Sequence, residues 1–320
     1  MKNLGVYFFI ALAWIFLSQF AEAQVLTYST GTWNVDTLGN HRAVIQVKTK
    51  SDALLAHIDW RRRDHHPENI DVIVVNAETG KRVNNVYRVN INPEFGEVIF
   101  QALNAGTYYF YYMPHVMSKG NYPKVKYNEP INLAEKSWAA KYKFTGNQML
   151  SAQKAKYKQV TATEIQSIDV FNSFYPMEVI ASKTEIASLL KKNPGAPFLV
   201  FPEYREYSIR MTDNIPQRWA LKGAKINLND TVQKGEYYTF QAGVWAYSKP
   251  YQHVEIKFSD LKNAQNTIKS ENFTCFNTEG FDSEGNYFEK NCSVQQDKVQ
   301  AFWCGYRFRQ MLSQVNIQLM

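Results

Sequence analysis

The densest run of chemically active side chains is Trp60-Arg61-Arg62-Arg63-Asp64-His65-His66-Pro67-Glu68. Three consecutive guanidinium groups offer planar forks that suit carboxylates, phosphates or anionic sugars. The competing reading, which this spacing favours, has the arginines pairing with Asp64, Glu68 or a neighbouring domain and holding the loop shut. A run of three is too short for a nucleic-acid tract, and no nucleic-acid partner is expected. His65 and His66, with Asp64 and Glu68, carry metal-ligand chemistry, but adjacent ligands on a turn arise easily by chance. A second candidate is Tyr108-Tyr109-Phe110-Tyr111-Tyr112, whose rings fall on both faces of one strand. One face must be core; the other would present Tyr109 and Tyr111 as a flat stacking platform, or pack against another element.

Other constellations are weaker. Asp282, Glu284 and Asn286 start like a calcium loop, yet the distal bidentate glutamate is missing and a hairpin turn accounts for them better. Glu203, Arg205, Glu206 and Arg210 read as an interleaved ion-pair strand, a rigid joint rather than an acid/base pair. Glu203 and Glu178 are the acids that an active hydrolase would use. No glycine-rich phosphate loop, His-Glu-x-x-His helix or Gly-x-Ser-x-Gly elbow is present, so neither a cofactor nor a metal is assigned. The three cysteines, Cys275, Cys292 and Cys304, fit no metal spacing. Cys275 and Cys292 flank the turn at 281–287 symmetrically, which makes a cross-strand disulfide conceivable in an exported chain. Three buried free thiols are the alternative.

The elements that must position these groups are mostly strands. Of 320 residues 15% are aromatic, a share that suits pleated surfaces better than helical bundles. The formal charge of +7 is modest for this length and selects no partner class. Lys2, an apolar run from Leu4 to Leu17, and Ala21-Glu22-Ala23 read as a signal peptide over residues 1–23. The apolar run is short for a membrane span and no basic cluster follows it, so the expected location is periplasmic or extracellular. No later segment is expected to span a membrane.

Residues 24–133 alternate as short strands broken by Gly, Asn and Pro, the pattern of a β-sandwich. Residues 134–197 read as a small helical connector. Within it Thr161–Glu164 and Ser182–Glu185 both have capping-box form, each followed by an apolar stripe, and Asn193-Pro194-Gly195 ends the second. From 198 to 320 alternation returns, notably at Tyr238–Ala246 and Val299–Trp303, as a second sandwich expected to be incomplete at its C-terminus. The fold class is therefore mainly β, two β-sandwich domains joined by a helical connector.

Read together, WRRRDHHPE, VVNAETGKRV, GTYYFYYMP, FNSFYPMEVIAS, FPEYREYSIRM, GEYYTFQAGVWA and VQAFWCG resemble exported bacterial proteins similar to family 123 glycoside hydrolases, of the Bacteroidetes type. The resemblance implies a non-catalytic N-terminal part of β-sandwich character that precedes a (β/α)₈ catalytic barrel. In such enzymes an adjacent Asp-Glu pair assists attack by the substrate's own acetamido group. This sequence contains no Asp-Glu dipeptide, so no catalytic residue carries over. The expectation is an accessory region that binds glycan or polysaccharide, or supports a barrel, with a chain that ends before the barrel. Trp60, Arg61, Arg62, Arg63, Tyr109 and Tyr111 are the candidate sugar contacts. An active hydrolase, and a structural or adhesion module or truncated gene product, are the alternatives.

Overall fold

Regular alternation in the first half produces strands in close succession: β1 (Thr27–Thr30), β2 (His41–Val47), β3 (Ser51–Ile58), β4 (Ile73–Asn76), β5 (Val86–Ile91), β6 (Gly96–Ala102) and β7 (Gly106–Tyr111). A short hairpin of β8 (His115–Met117) and β9 (Val125–Tyr127) follows, then β10 (Lys158–Ser167). Helices α1 (Val35–Leu38), α2 (Lys136–Tyr142) and α3 (Ser151–Lys154) fill the connections. This computed structural model describes residues 26–144, 151–224, 227–233, 235–262, 267–307 and 316–318; the expected leader lies outside the described residues.

The large sheet has the order β4-β7-β2-β10-β3-β6-β5, with β1 also paired to β10. β10 decides its shape. Lys158–Thr161 run parallel to β3, and after a register shift between Ala162 and Glu164 the rest runs antiparallel to β2. Bulges of this kind bend a strand and increase its twist. One strand thus passes from one half-sheet to the other, and the halves pack face to face. Phe100 of β6 meets Phe110 and Tyr108 of β7 at ring-centroid distances of 5.1 and 5.2 Å. Ile45, Leu54, Ala56, Val98 and Tyr112 complete this core.

β10 corrects the first of the two helix expectations. Thr161–Glu164 does not cap a helix; it lies mid-strand, and Glu164 instead accepts a hydrogen bond from Ser29 Oγ. Val160, Thr161 and Thr163 are β-branched and favour the strand. Partners on both sides satisfy its backbone groups, so tertiary context overrides the local cap signal. The second box forms as read. Ser182 Oγ accepts from Glu185 N at 3.2 Å, and Glu185 Oε2 accepts from Ser182 N at 2.7 Å. It starts α4 (Lys183–Lys192), which closes at Asn193.

The later elements are β11 (Leu199–Tyr204), α5 (Gln217–Lys222), β12 (Asn227–Asn229), β13 (Tyr237–Trp245), β14 (Tyr251–Val254), β15 (Leu261–Lys262), β16 (Thr267–Ile268), β17 (Phe273–Cys275), β18 (Glu279–Phe281), β19 (Tyr287–Glu289), β20 (Cys292–Val294), β21 (Val299–Arg307) and β22 (Asn316–Gln318). They make one four-stranded sheet, β11-β13-β21-β17, and several two-stranded pairs. Along β13, Tyr238, Phe240 and Val244 enter one core with Phe273 and Phe302. The opposite face is covered by α4 and α5, where Trp219 stacks on Phe201 at 4.4 Å. The second sheet is therefore covered by helices on one side and short strand pairs on the other, and no second extended sheet faces it among the described residues. The chain is mainly β, as its alternation implies. Among the described residues no helix is long and apolar enough to cross a membrane.

Trp60 sets the closest tolerance in the first core. A Cβ added at Gly96 would lie 2.2 Å from its ring, and the indole Nε1 donates to Asn92 O at 2.8 Å. Gly96→Ala must displace a fully buried ring and is expected to destabilise by about 2 kcal/mol. Urea denaturation checks this: a lowered midpoint at unchanged slope is the expected result, and an unchanged midpoint contradicts the packing.

Candidate functional site

The arginine run begins where β3 ends and its three side chains diverge. Arg61 sits in the left-handed region at φ 47°, and its carbonyl accepts from Ile180 N at 3.1 Å. Its guanidinium donates to Glu185 Oε2 at 2.9 Å, in the capping box of α4. Arg62 is fully buried; it donates through Nε to Asp64 Oδ1 at 2.6 Å and through one amino group to Tyr112 O at 2.7 Å. Arg63 donates to Glu178 Oε1 at 2.8 Å. The run thus fastens the first sandwich to the segment leading into α4, the pairing that its spacing favoured.

The six residues singled out as sugar contacts do not converge. Trp60 and Arg62 are interior, and in this conformation neither can stack on or grip an external ring. The reason is chemical: the carboxylate of Asp64 and the carbonyl of Tyr112 are enough to keep one guanidinium inside. Tyr109 and Tyr111 point away from that core, where Arg42 of β2 covers them. Its guanidinium lies 3.6 Å from the Tyr109 ring and 4.4 Å from that of Trp33, and it donates to Tyr111 Oη at 3.1 Å. Tyr111 is 3% exposed, so this outer face is an Arg-aromatic stack rather than an open platform.

A cleft of about 550 Å³ opens beside the arginine joint. Arg63, Asp64 and Glu178 form one wall, His41 and His115 another, and Phe171, Phe174 and Tyr127 supply rings. His41 is 5% exposed. Its ring stacks on Phe174 at 4.1 Å, and its Nε2 donates to Asn172 O at 2.8 Å. Burial, with the Asn172 carbonyl opposing and the Arg62 and His115 charges assisting, pushes its pKa down to about 4. The ring is therefore neutral near neutrality, and with the proton on Nε2 its Nδ1 is a lone-pair acceptor. That Nδ1 and Asp64 Oδ2 are both buried without a protein partner. Arg210 stands exposed at the rim, and Phe171 is 82% exposed. Buried acceptors, cationic donors and free ring faces in one concavity suit a hydroxyl-rich ring ligand.

A larger cleft of about 760 Å³ runs between β5 and residues 130–144. Its arginines are tied to the chain itself: Arg82 to Asp71 Oδ2 at 3.1 Å, and Arg88 to the carbonyls of Glu68 and Ile70. The smaller cleft offers more unmet polar capacity.

The remaining candidates are engaged elsewhere. Glu203 is buried and accepts from Arg218 Nε at 2.9 Å and Trp219 Nε1 at 3.0 Å, while Glu178 holds Arg63. Neither carboxylate is free for acid/base work in this conformation. Arg205 and Glu206 leave β11 for a turn, where Arg205 pairs with Glu236. His65 lies 3.3 Å from Asp213 and His66 3.1 Å from Glu68, and among the described residues no three such groups converge as metal ligands. Asp282 Oδ1 accepts from the amides of Glu284 and Asn286, closing the β18–β19 turn. Cys275 and Cys292 are free thiols, and the residue opposite Cys275 is Cys304. His41, Phe171, Phe174 and Arg210 were not read as site residues. The FNSFYP segment, aromatic and ended by proline, was the available signal of an irregular loop.

Residues 31–168 match the family model described as the glycoside hydrolase 123 N-terminal domain, from just after β1 to just past β10. That region is therefore similar to the N-terminal domain of glycoside-hydrolase-related proteins. No curated protein matches the chain. One solved structure, a family 123 glycoside hydrolase from Clostridium perfringens studied for glycolipid glycan hydrolysis, matches at 14% identity over 36% of this chain and 22% of that one, with a TM-score of 0.26. So loose a superposition carries no structural argument, and the aligned part is a small share of the enzyme.

His41 makes the joint pH-sensitive in a definite direction. Its folded pKa, about 4, lies below the ordinary 6.5, so the unfolded chain takes up the proton first. Stability is full above about pH 6.5 and falls as pH drops toward about 4, by up to about 3 kcal/mol. Glu185 adds to the loss at lower pH. Burial alone would raise its carboxyl, but the Ser182 amide, Gln217 and Arg61 hold it low. Urea midpoints measured across this range are expected to fall, and less steeply for His41→Phe. Equal slopes for the two proteins would contradict the assignment.

Proposed function

We propose that this chain is an accessory, non-catalytic region of an exported glycoside-hydrolase-like protein, and that it recognises glycan in the cleft beside the arginine joint. The observation that carries the reading is the pairing of unmet acceptors, His41 Nδ1 and Asp64 Oδ2, with the exposed Phe171 ring and the Arg210 cation. Sugars bind to such mixtures because ring C–H faces stack on aromatics while hydroxyls take hydrogen bonds from both donors and acceptors. The likeness of residues 31–168 to a glycoside hydrolase 123 N-terminal domain supports a glycan as the ligand class. The stiff joint supports a second part of the same role, holding a neighbouring catalytic domain in a fixed direction. Export, from the leader read at residues 1–23, would place the protein where polysaccharide is met.

Affinity electrophoresis and calorimetry on a panel of neutral and anionic glycans test this reading. Retardation by at least one glycan is expected, with Phe171→Ala and Arg210→Ala each weakening it by about tenfold, the loss of one stacking or charged contact. Retention of full affinity by both variants would move the site elsewhere. No interaction with any member of the panel would remove the glycan-binding role.

A further inference from the structure

The second core gathers three thiols around the edge of its sheet. β17 pairs with β21 so that Cys275 stands opposite Cys304, while Cys292 lies on β20, paired with β14. Cys275 and Cys304 are almost wholly buried in the same cluster, and Cys292 packs at its margin. Beyond Cys275, the Phe276 amide donates to Trp303 O at 2.9 Å. Antiparallel pairs alternate between hydrogen-bonded and non-hydrogen-bonded, so Cys275 and Cys304 form a non-hydrogen-bonded pair. The Cys275 amide agrees: it turns outward and donates to Glu279 Oε1 at 3.0 Å. In that pair type the Cα atoms stand about 4.5 Å apart and the side chains are at their closest, within the span a disulfide bridges. Cys292 has no such register with either partner, and its thiol is directed to Asn277 O at 3.2 Å.

We propose that Cys275 and Cys304 are a redox couple that closes to a cross-strand disulfide when the chain folds in contact with a disulfide oxidant, and that Cys292 stays a free thiol. The sulfurs already interact. The hydrogen bond from Cys304 lowers the Cys275 thiol to about 6, with Thr278 and the neighbouring amides adding to it against burial, while Cys304 is pushed up. Cys275 is therefore the attacking thiolate. It displaces one thiolate from a small disulfide such as oxidised glutathione, forming a mixed disulfide. Cys304 then loses its proton and attacks the Cys275 sulfur, and the second thiolate leaves. Two protein thiols are oxidised and one small disulfide is reduced to two thiols. β17 is a three-residue edge strand, so the bond would fasten an otherwise short attachment and close the loop carrying β18, β19 and β20.

Trypsin separates all three cysteines, because Lys269, Lys290, Lys298 and Arg307 bracket them. The full chain is reduced, unfolded, refolded in a mixture of reduced and oxidised glutathione, then alkylated in denaturant and mapped without reduction. The expected product joins the Cys275 and Cys304 peptides and leaves Cys292 alkylated. Cys292→Ser should keep the link and Cys304→Ser should abolish it, with a higher melting midpoint after oxidation only where the link forms. A link through Cys292, or three alkylated cysteines after oxidative refolding, overturns the proposal.

Discussion

A guanidinium with no exposed surface must have its charge met from inside, and Arg62 is met by Asp64 Oδ1 and the carbonyl of Tyr112. Removing one member of such a buried pair strands the other, which is why these contacts are costly to disturb. Because Arg62 is pinned inward, its neighbours must leave the chain on other sides. Arg61 turns to Glu185 and Arg63 to Glu178, both beyond the first sandwich. The left-handed conformation at Arg61 belongs to the same constraint: it allows successive residues to face partners in different directions. The orientation of everything after β10 relative to the first sandwich follows from these three bonds and from the backbone contact of Arg61 with Ile180.

Glu185 shows how local and long-range structure share one group. Its carboxylate completes the cap of α4, accepts from Gln217 ahead of α5, and receives Arg61. A helix start, the link between two helices and the joint to the sandwich all terminate on one side chain. The cleft next to this joint inherits its rigidity. Its polar wall comes from residues already fixed by the joint, whereas its rings come from the irregular stretch after β10. A pre-organised polar wall lowers the cost of ordering when a ligand binds, and exposed rings supply contact area.

Much of this was legible from residue types alone. The strand pattern of the first half, the Ser182 cap, the Asn193 stop and the Asp282 turn all rest on local signals strong enough to survive packing. The arginine run was legible as a set of ion pairs, though its partners Glu178 and Glu185 were not, because both lie more than a hundred residues away. Thr161–Glu164 misled for the same physical reason in reverse. A cap signal is worth about 1 kcal/mol, and two flanking strands contribute far more. Periodicity also could not tell which face of β7 was open. Tyr109 and Tyr111 do turn away from the core, but Arg42, four strands' worth of sequence earlier, covers them. The cleft was the least visible feature, since it joins His41 to Asn172 and Phe174 across a distance no motif spans.

Hydrogen–deuterium exchange of the full chain with and without a bound glycan tests the central claim most directly, because it reports where the ligand sits. The account predicts new protection confined to residues 113–127 and 169–178, with the arginine joint already protected in both states. Protection centred instead on the outer face of β7 and β2, around Tyr109 and Arg42, would contradict it.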